Sequence, residues 1–302
     1  MIKIICVVGP TAVGKTKLSL KLAEKLDGEI ISADSMQIYK EFNIISNKSD
    51  LKIKQYFVDF VSIEKEFSVA EYVKLGGECI REVNNKNKIP IICGGTGLYV
   101  DSLLNNINFL SFKLDMELGK KLFKLDNLEL FEKLKKVDFE ISQKININDK
   151  KRLSRALEFY ISNNFPISEH IKNSKKNKPN YDITKIGLNY ENRDALYEII
   201  NKRTDEMFKE GIVNEIKSLK NKKISKTAEA AIGYKEILSY INEEVDLETC
   251  KKKIKQNTRR YAKRQITWFK KDKNIKWFYL GKYSNFGELF IDVFDFINEK
   301  LR

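Results

Sequence analysis

Residues 2–16, IKIICVVGPTAVGKT, restrict the possible folds more than any other stretch of the chain. Ile4, Ile5, Cys6, Val7 and Val8 form a short apolar run, the pattern of a strand buried on both faces. Gly9 to Thr16 follows the spacing G-x-x-x-x-G-K-T, and Lys17 to Leu26 continues as a helix with Leu18, Leu22, Ala23 and Leu26 on one side. Strand, glycine loop and helix in that order make a phosphate cradle. Gly9, Thr11, Ala12 and Gly14 belong to a backbone that turns its N–H groups inward. Lys15 supplies positive charge, and the Thr16 hydroxyl stands at a helix N-terminus where it can hold Mg²⁺. An ordinary glycine turn is the alternative, and the flanking strand and helix count against it.

Further along, Glu29-Ile30-Ile31-Ser32-Ala33 reads as a second strand that runs into Asp34-Ser35-Met36-Gln37. In parallel α/β sheets ligands lie beyond the C-terminal strand ends. Asp34 can therefore face the phosphate loop and bind Mg²⁺ through water or accept a proton; capping a helix is its other possible task. Residues 56–63, YFVDFVSI, form another apolar-rich segment, interrupted at Asp59 near a strand end or turn. Ser68 to Val83 has helical spacing. Ile89 to Cys93 is a third strand, followed by Gly94-Gly95-Thr96-Gly97 and a helix through Leu104. Thr96 can direct its hydroxyl into the same crevice, or simply cap a glycine turn. The third strand carries no acidic residue at its end, where a P-loop ATPase would place a Mg²⁺-binding Asp on a later strand. A small-molecule transferase or kinase fits better.

Composition shifts near Asn105. Residues 105–150 carry short helical patterns, and Arg152 to Ile161 forms a clear amphipathic helix. Residues 162–181, polar and containing Pro166 and Pro179, read as a connector. Ile183 to Asn189 reads as a return strand. A long helical region follows, interrupted at Gly211. Gly233 alone reads as a packing glycine. The fold class expected is α/β: a P-loop parallel sheet with an inserted small helical domain and a basic, helical C-terminal region.

The chain has 302 residues, enough for a large core and two domains, and a net charge of +14. Lys, Asn and Ile are abundant throughout, so the placement of Arg tells more than net charge. Three of nine arginines, Arg259, Arg260 and Arg264, fall within six residues. They lie in a segment, residues 251–276, with twelve Lys or Arg and one acid, Asp272. Ile254, Tyr261, Gln265 and Trp268 repeat there at helical spacing, so one face can pack while Arg259, Arg260, Lys263 and Arg264 meet RNA phosphates or a pyrophosphate. A solvated helix without a partner is the alternative, and Trp268 and Phe269 read as core. Cys6, Cys79, Cys93 and Cys250 form no C-x-x-C pair, and His170 is the only histidine, which leaves little for a zinc site. No stretch of 18 apolar residues is present, and the N-terminus runs straight into the first strand. A cytoplasmic protein without a membrane span or secretory signal is expected.

GPTAVGKT at 9–16, ADSMQIY at 33–39, GGTGLY at 94–99, RLSRALE at 152–158, AIGYKE at 231–236 and YAKRQITWF at 261–269 together resemble the tRNA dimethylallyltransferases. The resemblance covers most of residues 3–280. It implies transfer of a dimethylallyl group from dimethylallyl diphosphate to N6 of the adenosine 3′ to the anticodon, with Mg²⁺ and release of pyrophosphate. By the same resemblance Asp34 is the general base and Thr96 the hydrogen-bond donor to the leaving diphosphate. Gly9, Thr11, Ala12, Gly14, Lys15, Thr16 and Arg264 hold that diphosphate. Ser35 and Gln37 lie near the acceptor adenine. Arg152, Arg155, Gly233, Arg259, Arg260, Lys263 and Gln265 belong to the tRNA and acceptor side, although salt bridging or solvation is an equal alternative for Arg152 and Arg155. The domains implied are 1–107, the first part of the catalytic core; 108–181, a helical insertion that contacts the anticodon stem-loop; and 182–302, the return to the core with a basic tRNA-binding region. A monomer is expected.

The pattern departs from the family at several places. Gln55-Tyr56 replaces a frequent His-His pair, Asp149-Lys150 a frequent Asp-Pro, and Ala230 a frequent Gln or Arg. The stretch Asn108-Phe109-Leu110-Ser111-Phe112 lacks the usual prolines. Three other functions stay open on the residues: a P-loop kinase of a small metabolite, prenylation of free adenine nucleotides, and an RNA-binding protein with a disabled pocket.

Overall fold

The computed structural model describes residues 1–48, 53–105, 107, 116–176 and 181–301. Its strands are β1 (Ile2–Val8), β2 (Gly28–Ser32), β3 (Gln55–Tyr56), β4 (Ile89–Gly94), β5 (Tyr181–Asn189) and β6 (Lys276–Tyr279). They form one parallel sheet in the order β3-β2-β4-β1-β5-β6. Parallel neighbours need crossovers, and helices supply them. Those of the first half are α1 (Lys15–Leu26), α2 (Val69–Asn85) and α3 (Gly97–Leu104). Ser68 starts α2 through a capping box with Glu71.

The chain divides into two compact units, one of Met1–Asp101 with Asn180–Arg302 and one of Ser102–Pro179. The smaller unit contains α4 (Met116–Lys124), α5 (Asn127–Val137), α6 (Phe139–Ser142), α7 (Lys150–Asn163) and α8 (Ile167–Lys176). Leu122, Leu130, Leu134, Leu153, Ala156 and Leu157 make its core. The connector expected over 162–181 is instead largely the helix α8. Pro166 stands just ahead of its first turn, where a missing N–H costs nothing. The buried Asp138 carboxylate accepts the Ser168 N–H at 2.8 Å and the Ile141 N–H at 3.1 Å, so one side chain starts both α6 and α8. Pro179 and the stretch 108–112 fall outside the described residues.

The larger unit continues with α9 (Arg193–Lys209), α10 (Ile212–Leu219), α11 (Tyr234–Ile241), α12 (Leu247–Phe269) and α13 (Phe286–Leu301). Its sheet core joins Ile5, Val7, Ile91, Ile186 and Leu188 to Leu18 and Leu22 of α1, Ile200 of α9 and Val293 of α13. Each such side chain contributes about 1.5–3 kcal/mol by leaving water. The apolar run after β3 does not extend the strand. Phe57 and Asp59 both take positive φ, and pairing shrinks to a single bridge between Tyr39 and Val61.

Register sets where the strands end. Val8 lies opposite both Gly94 and Gly187, and Ser32 opposite Cys93, so β1, β2 and β4 stop nearly level. The loops after them converge at one edge. Gly94 makes this possible: a Cβ there would lie 2.2 Å from the Ala33 carbonyl oxygen, which is backbone and cannot swing aside. Gly94→Ala is expected to destabilise the fold by at least about 2 kcal/mol. Gly281→Ala, whose added methyl meets nothing within 4 Å, should stay within about 0.5 kcal/mol. Urea unfolding of the two variants decides, and equal midpoints would contradict the account.

Candidate active site

The loop after β1 carries three positive φ angles, at Gly9 (143°), Ala12 (69°) and Gly14 (78°). Such turns gather backbone N–H groups into an anion-binding concavity at the start of α1. A Cβ on Gly9 would fall 2.3 Å from the Leu188 carbonyl oxygen, so β5 closes the back of the loop. Lys15 Nζ donates to the Pro10 carbonyl at 2.7 Å. Burial pushes the Lys15 pKa down to about 8, against the opposing pull of Asp34. Near neutrality the amine is mostly charged.

Across the sheet edge, the loop after β2 is zipped to the loop after β4. Ala33 N–H donates to the Cys93 carbonyl at 2.7 Å and Thr96 N–H to the Ala33 carbonyl at 3.0 Å. Next in line, Ser35 N–H donates to Thr96 Oγ1 at 3.1 Å. The acid and the threonine, 62 positions apart in sequence, are thus carried on hydrogen-bonded neighbours. Asp34 Oδ1 accepts the Met36 N–H at 2.9 Å, which caps a turn and not an α-helix. Gln37 Oε1 accepts from Ser32 Oγ at 3.1 Å.

Two cavities open here, of about 550 and 270 Å³. The larger is lined by Gly14, Lys15, Thr16, Cys93 and Gln37. The smaller has a more apolar wall of Ile45, Ile200, Met207, Ala230 and Ile254, with Ser35, Tyr261 and Arg264. Thr11, Asp34, Ser46 and Arg203 line both. The carboxylate therefore sits where the two cavities meet, with cationic Lys15 and Arg203 close enough to feel its field.

Arg203 escaped sequence reading. It lies on α9, in a stretch with no recognisable spacing, and only the fold brings it under the phosphate loop. Its Nη1 donates to Thr11 Oγ1 at 2.6 Å, while Nε is buried with no partner among the described residues. Burial lowers its pKa. A buried guanidinium with an unused donor beside a phosphate loop is built for an anion.

Gln265 falls on the packed face of α12, as its spacing with Ile254, Tyr261 and Trp268 implied. It is 5% exposed. Its Oε1 accepts the Thr11 N–H at 2.9 Å, and its Nε2 donates to the Gly95 carbonyl at 3.0 Å. The amide is spent on the protein's own loops. Trp268 packs beside it and donates to Asp101 at 2.7 Å, and Phe269 is buried, both as expected of core residues. Arg264 is exposed, with its guanidinium 5.5 Å from the Tyr261 ring. Burial first, then the charge of Asp34, pushes the Tyr261 phenol up to about 12. Arg260 and Lys263 are exposed on α12, whereas Arg259 donates to Asn201 Oδ1 at 2.7 Å. Gly233 precedes α11 at φ 108° and packs near Ile45. Arg152 and Arg155 belong to the smaller unit, where they pair with Asp149 at 3.3 Å and Glu158 at 3.0 Å.

Among the described residues no group of three or more His, Cys, Asp or Glu could hold a metal. Thr16 and Asp34 do line one cavity, and two protein oxygens suit Mg²⁺, which keeps several waters and takes the rest of its octahedron from substrate phosphates. No described helix is long and apolar enough to cross a membrane.

Two family models match the chain: IPP transferase over residues 37–272 and Isopentenyl transferase over residues 2–55. A tRNA dimethylallyltransferase of Caldanaerobacter subterraneus subsp. tengcongensis is 45% identical, over 100% of this chain and 99% of its own. One from Thermoanaerobacter sp. strain X514 is 44% identical over 99% of both. Among solved structures, the full-length tRNA isopentenylpyrophosphate transferase of Bacillus halodurans superposes with a TM-score of 0.75 at 34% identity, covering 100% of this chain and 97% of that one. A eukaryotic dimethylallyltransferase acting on tRNA gives 0.76 at 31% identity, covering 89% and 70%. With the phosphate loop, the acid at the cavity junction and likeness along its whole length, the chain belongs to the IPP transferase family of tRNA dimethylallyltransferases.

Proposed function

We infer that the protein transfers a dimethylallyl group from dimethylallyl diphosphate to N6 of the adenosine 3′ to the anticodon in tRNA, releasing pyrophosphate. The observation that carries this reading is the pair of cavities joined at Asp34, one walled by the phosphate loop and the other largely apolar. Transfer between two substrates needs a reacting group at such a junction. A kinase of a small metabolite would leave the apolar cavity and the exposed cations of α12 without a task.

The chemistry follows from the residues. N6 attacks C1 of the dimethylallyl group as the C1–O bond to the diphosphate breaks. An exocyclic purine amine is a weak nucleophile, so Asp34 orients it and takes its proton as nitrogen becomes positive. Thr96 Oγ1 accepts the Ser35 N–H and donates its own proton to Ser35 Oγ at 3.3 Å, a long bond that gives way to one with the oxygen bridging carbon and phosphorus. Lys15, Arg203 and the loop N–H groups stabilise the charge that grows on the departing pyrophosphate. Mg²⁺, held by Thr16 and through water by Asp34, would neutralise part of that charge. Gln265 holds the phosphate loop to the Gly95 loop. The target base must leave the anticodon-loop stack to enter, which costs least in a single-stranded loop. Arg260, Lys263 and Arg264 offer the RNA phosphates a cationic face, and the helical unit carrying Arg152 and Arg155 holds the anticodon stem-loop.

Incubation with unmodified total tRNA, Mg²⁺ and isotope-labelled dimethylallyl diphosphate, followed by nucleoside mass analysis, tests the reading. Label is expected on N6 of the anticodon-adjacent adenosine. Asp34→Ala should slow transfer by roughly 10²–10⁴-fold while tRNA still binds. No label on susceptible tRNA from folded protein, or label on AMP alone, would overturn it.

The lowered pKa of Lys15 predicts a pH effect of definite sign. The amine is charged below about pH 8 and neutral above it. kcat/KM for dimethylallyl diphosphate, which reports groups of the free protein, is expected to fall as pH rises through that value. Lys15→Arg keeps its charge across the range, so its profile should stay flat there even if its rate is lower. Parallel profiles for the two proteins would exclude Lys15 as the titrating group.

A further inference from the structure

Glu215, in the first turn of α10, takes no part in the chemistry above, yet its carboxylate is the focus of an unusual set of donors. Oε2 accepts the backbone N–H of Ile44 at 2.7 Å and of Asn43 at 3.0 Å, and Oε1 accepts that of Ile45 at 3.0 Å. Three consecutive amides pointing at one spot form a nest for an anion, and here a side chain some 170 residues away fills it. No Lys or Arg pairs with Glu215 among the described residues. Its charge is balanced by these amide dipoles and by the N-terminal end of its own helix.

The amides belong to the segment that shapes the crevice. Ile45 lines the smaller cavity and Ser46 lines both. The Ser46 and Asn47 carbonyls accept from Gln37 Nε2 at 3.4 and 3.5 Å, while Ser32 Oγ holds Gln37 Oε1. The direction of the Gln37 amide is thus set by the backbone that Glu215 grips. A second anchor works from the other side: Lys48 Nζ donates to the carbonyls of Tyr39 at 2.5 Å and Lys40 at 3.1 Å and to Asn43 Oδ1 at 3.2 Å. Lys48 ties the segment to itself and, through its ion pair with Asp59, to the loop after β3. Glu215 alone of the two ties it to the helical half of the unit.

We propose that Glu215 is a positioning residue for the acceptor base: by holding residues 43–45 it fixes Ser46, Asn47 and, through them, the face that Gln37 turns to the incoming adenine. The inference rests on the transfer to tRNA set out above. Glu215 holds no part of the phosphate loop itself; of the residues it sets, Ile45 lines the smaller cavity, Ser46 both, and Gln37 and Asn47 the larger.

Steady-state rates with tRNA and dimethylallyl diphosphate varied in turn, for wild type, Glu215→Ala, Glu215→Gln and Gln37→Ala, test it. Glu215→Ala is expected to raise KM for tRNA roughly tenfold, in line with loss of hydrogen bonds to a charged group. KM for dimethylallyl diphosphate should stay within about twofold of wild type. Glu215→Gln keeps one acceptor oxygen and should fall between. Combining Glu215→Ala with Gln37→Ala should add little to Gln37→Ala alone, because the two act through one path. Amide exchange should speed up over residues 43–46. An equal rise in both KM values, or an unchanged KM for tRNA, would overturn the proposal. If Glu215→Ala does not fold, the same split measured on Glu215→Gln decides. Wild type that transfers nothing to tRNA removes the functional reading, and this inference with it. Normal wild-type transfer with no acceptor effect in the variants removes this inference alone.

Discussion

The Gln265 amide joins the two loops on which the crevice depends. Its oxygen takes a donor from the phosphate loop, and its nitrogen gives to the glycine turn after β4. The bond to the Gly95 carbonyl is buried and the one from Thr11 partly so, so removing the side chain would leave both groups without this partner, at up to about 1–3 kcal/mol each. The contact is also steric. A Cβ on Gly95 would lie 2.1 Å from Gln265 Nε2, and one on Gly97 2.3 Å from the Trp268 ring. The glycines of the turn therefore serve packing against α12 as much as backbone shape. The helix that displays Arg260 and Lys263 to solvent presses its other face onto the phosphate loop and the glycine turn beside it.

Charge in the crevice is arranged around Asp34. Lys15 and Arg203 are partly desolvated cations near one carboxylate, and removal from water strengthens every one of these interactions. A cationic pair with unspent donors is at the same time poorly satisfied by one acid alone, and the unpartnered Nε of Arg203 shows where the deficit lies. A diphosphate would cancel it. The Tyr261 phenol, pushed up to about 12, remains protonated beside this centre and adds no competing negative charge.

Much of this was legible in the chain because the relevant signals are local. The strand–loop–helix order of residues 2–26, the acid after β2 and the glycine turn after β4 each carry their own spacing, and register alone brings them to one edge. What escaped depends on distant partners. Arg203 sits in a helix whose pattern speaks only of packing, and its role follows from where α9 crosses the phosphate loop. Spacing put Gln265 on the packing face of α12 and the resemblance put it on the tRNA side; which partner it packs against, a turn 170 positions earlier, follows only from the fold. The helix α8 was hidden by polar composition and two prolines, and its start depends on Asp138, which no local pattern links to Ser168. The apolar run past Tyr56 does not extend β3, because Phe57 and Asp59 adopt left-handed backbone that pairing does not tolerate.

The link between Thr11 and Gln265 spans 254 positions. During synthesis the phosphate loop emerges long before the side chain that pins it. Arg203, which grips the same threonine, comes 192 positions after it. A ribosome-bound fragment can form the first strands and the glycine loop but cannot complete the donor site. Competence to hold the donor is thereby tied to completion of the fold, and truncated chains are barred from the chemistry by the order in which their parts appear.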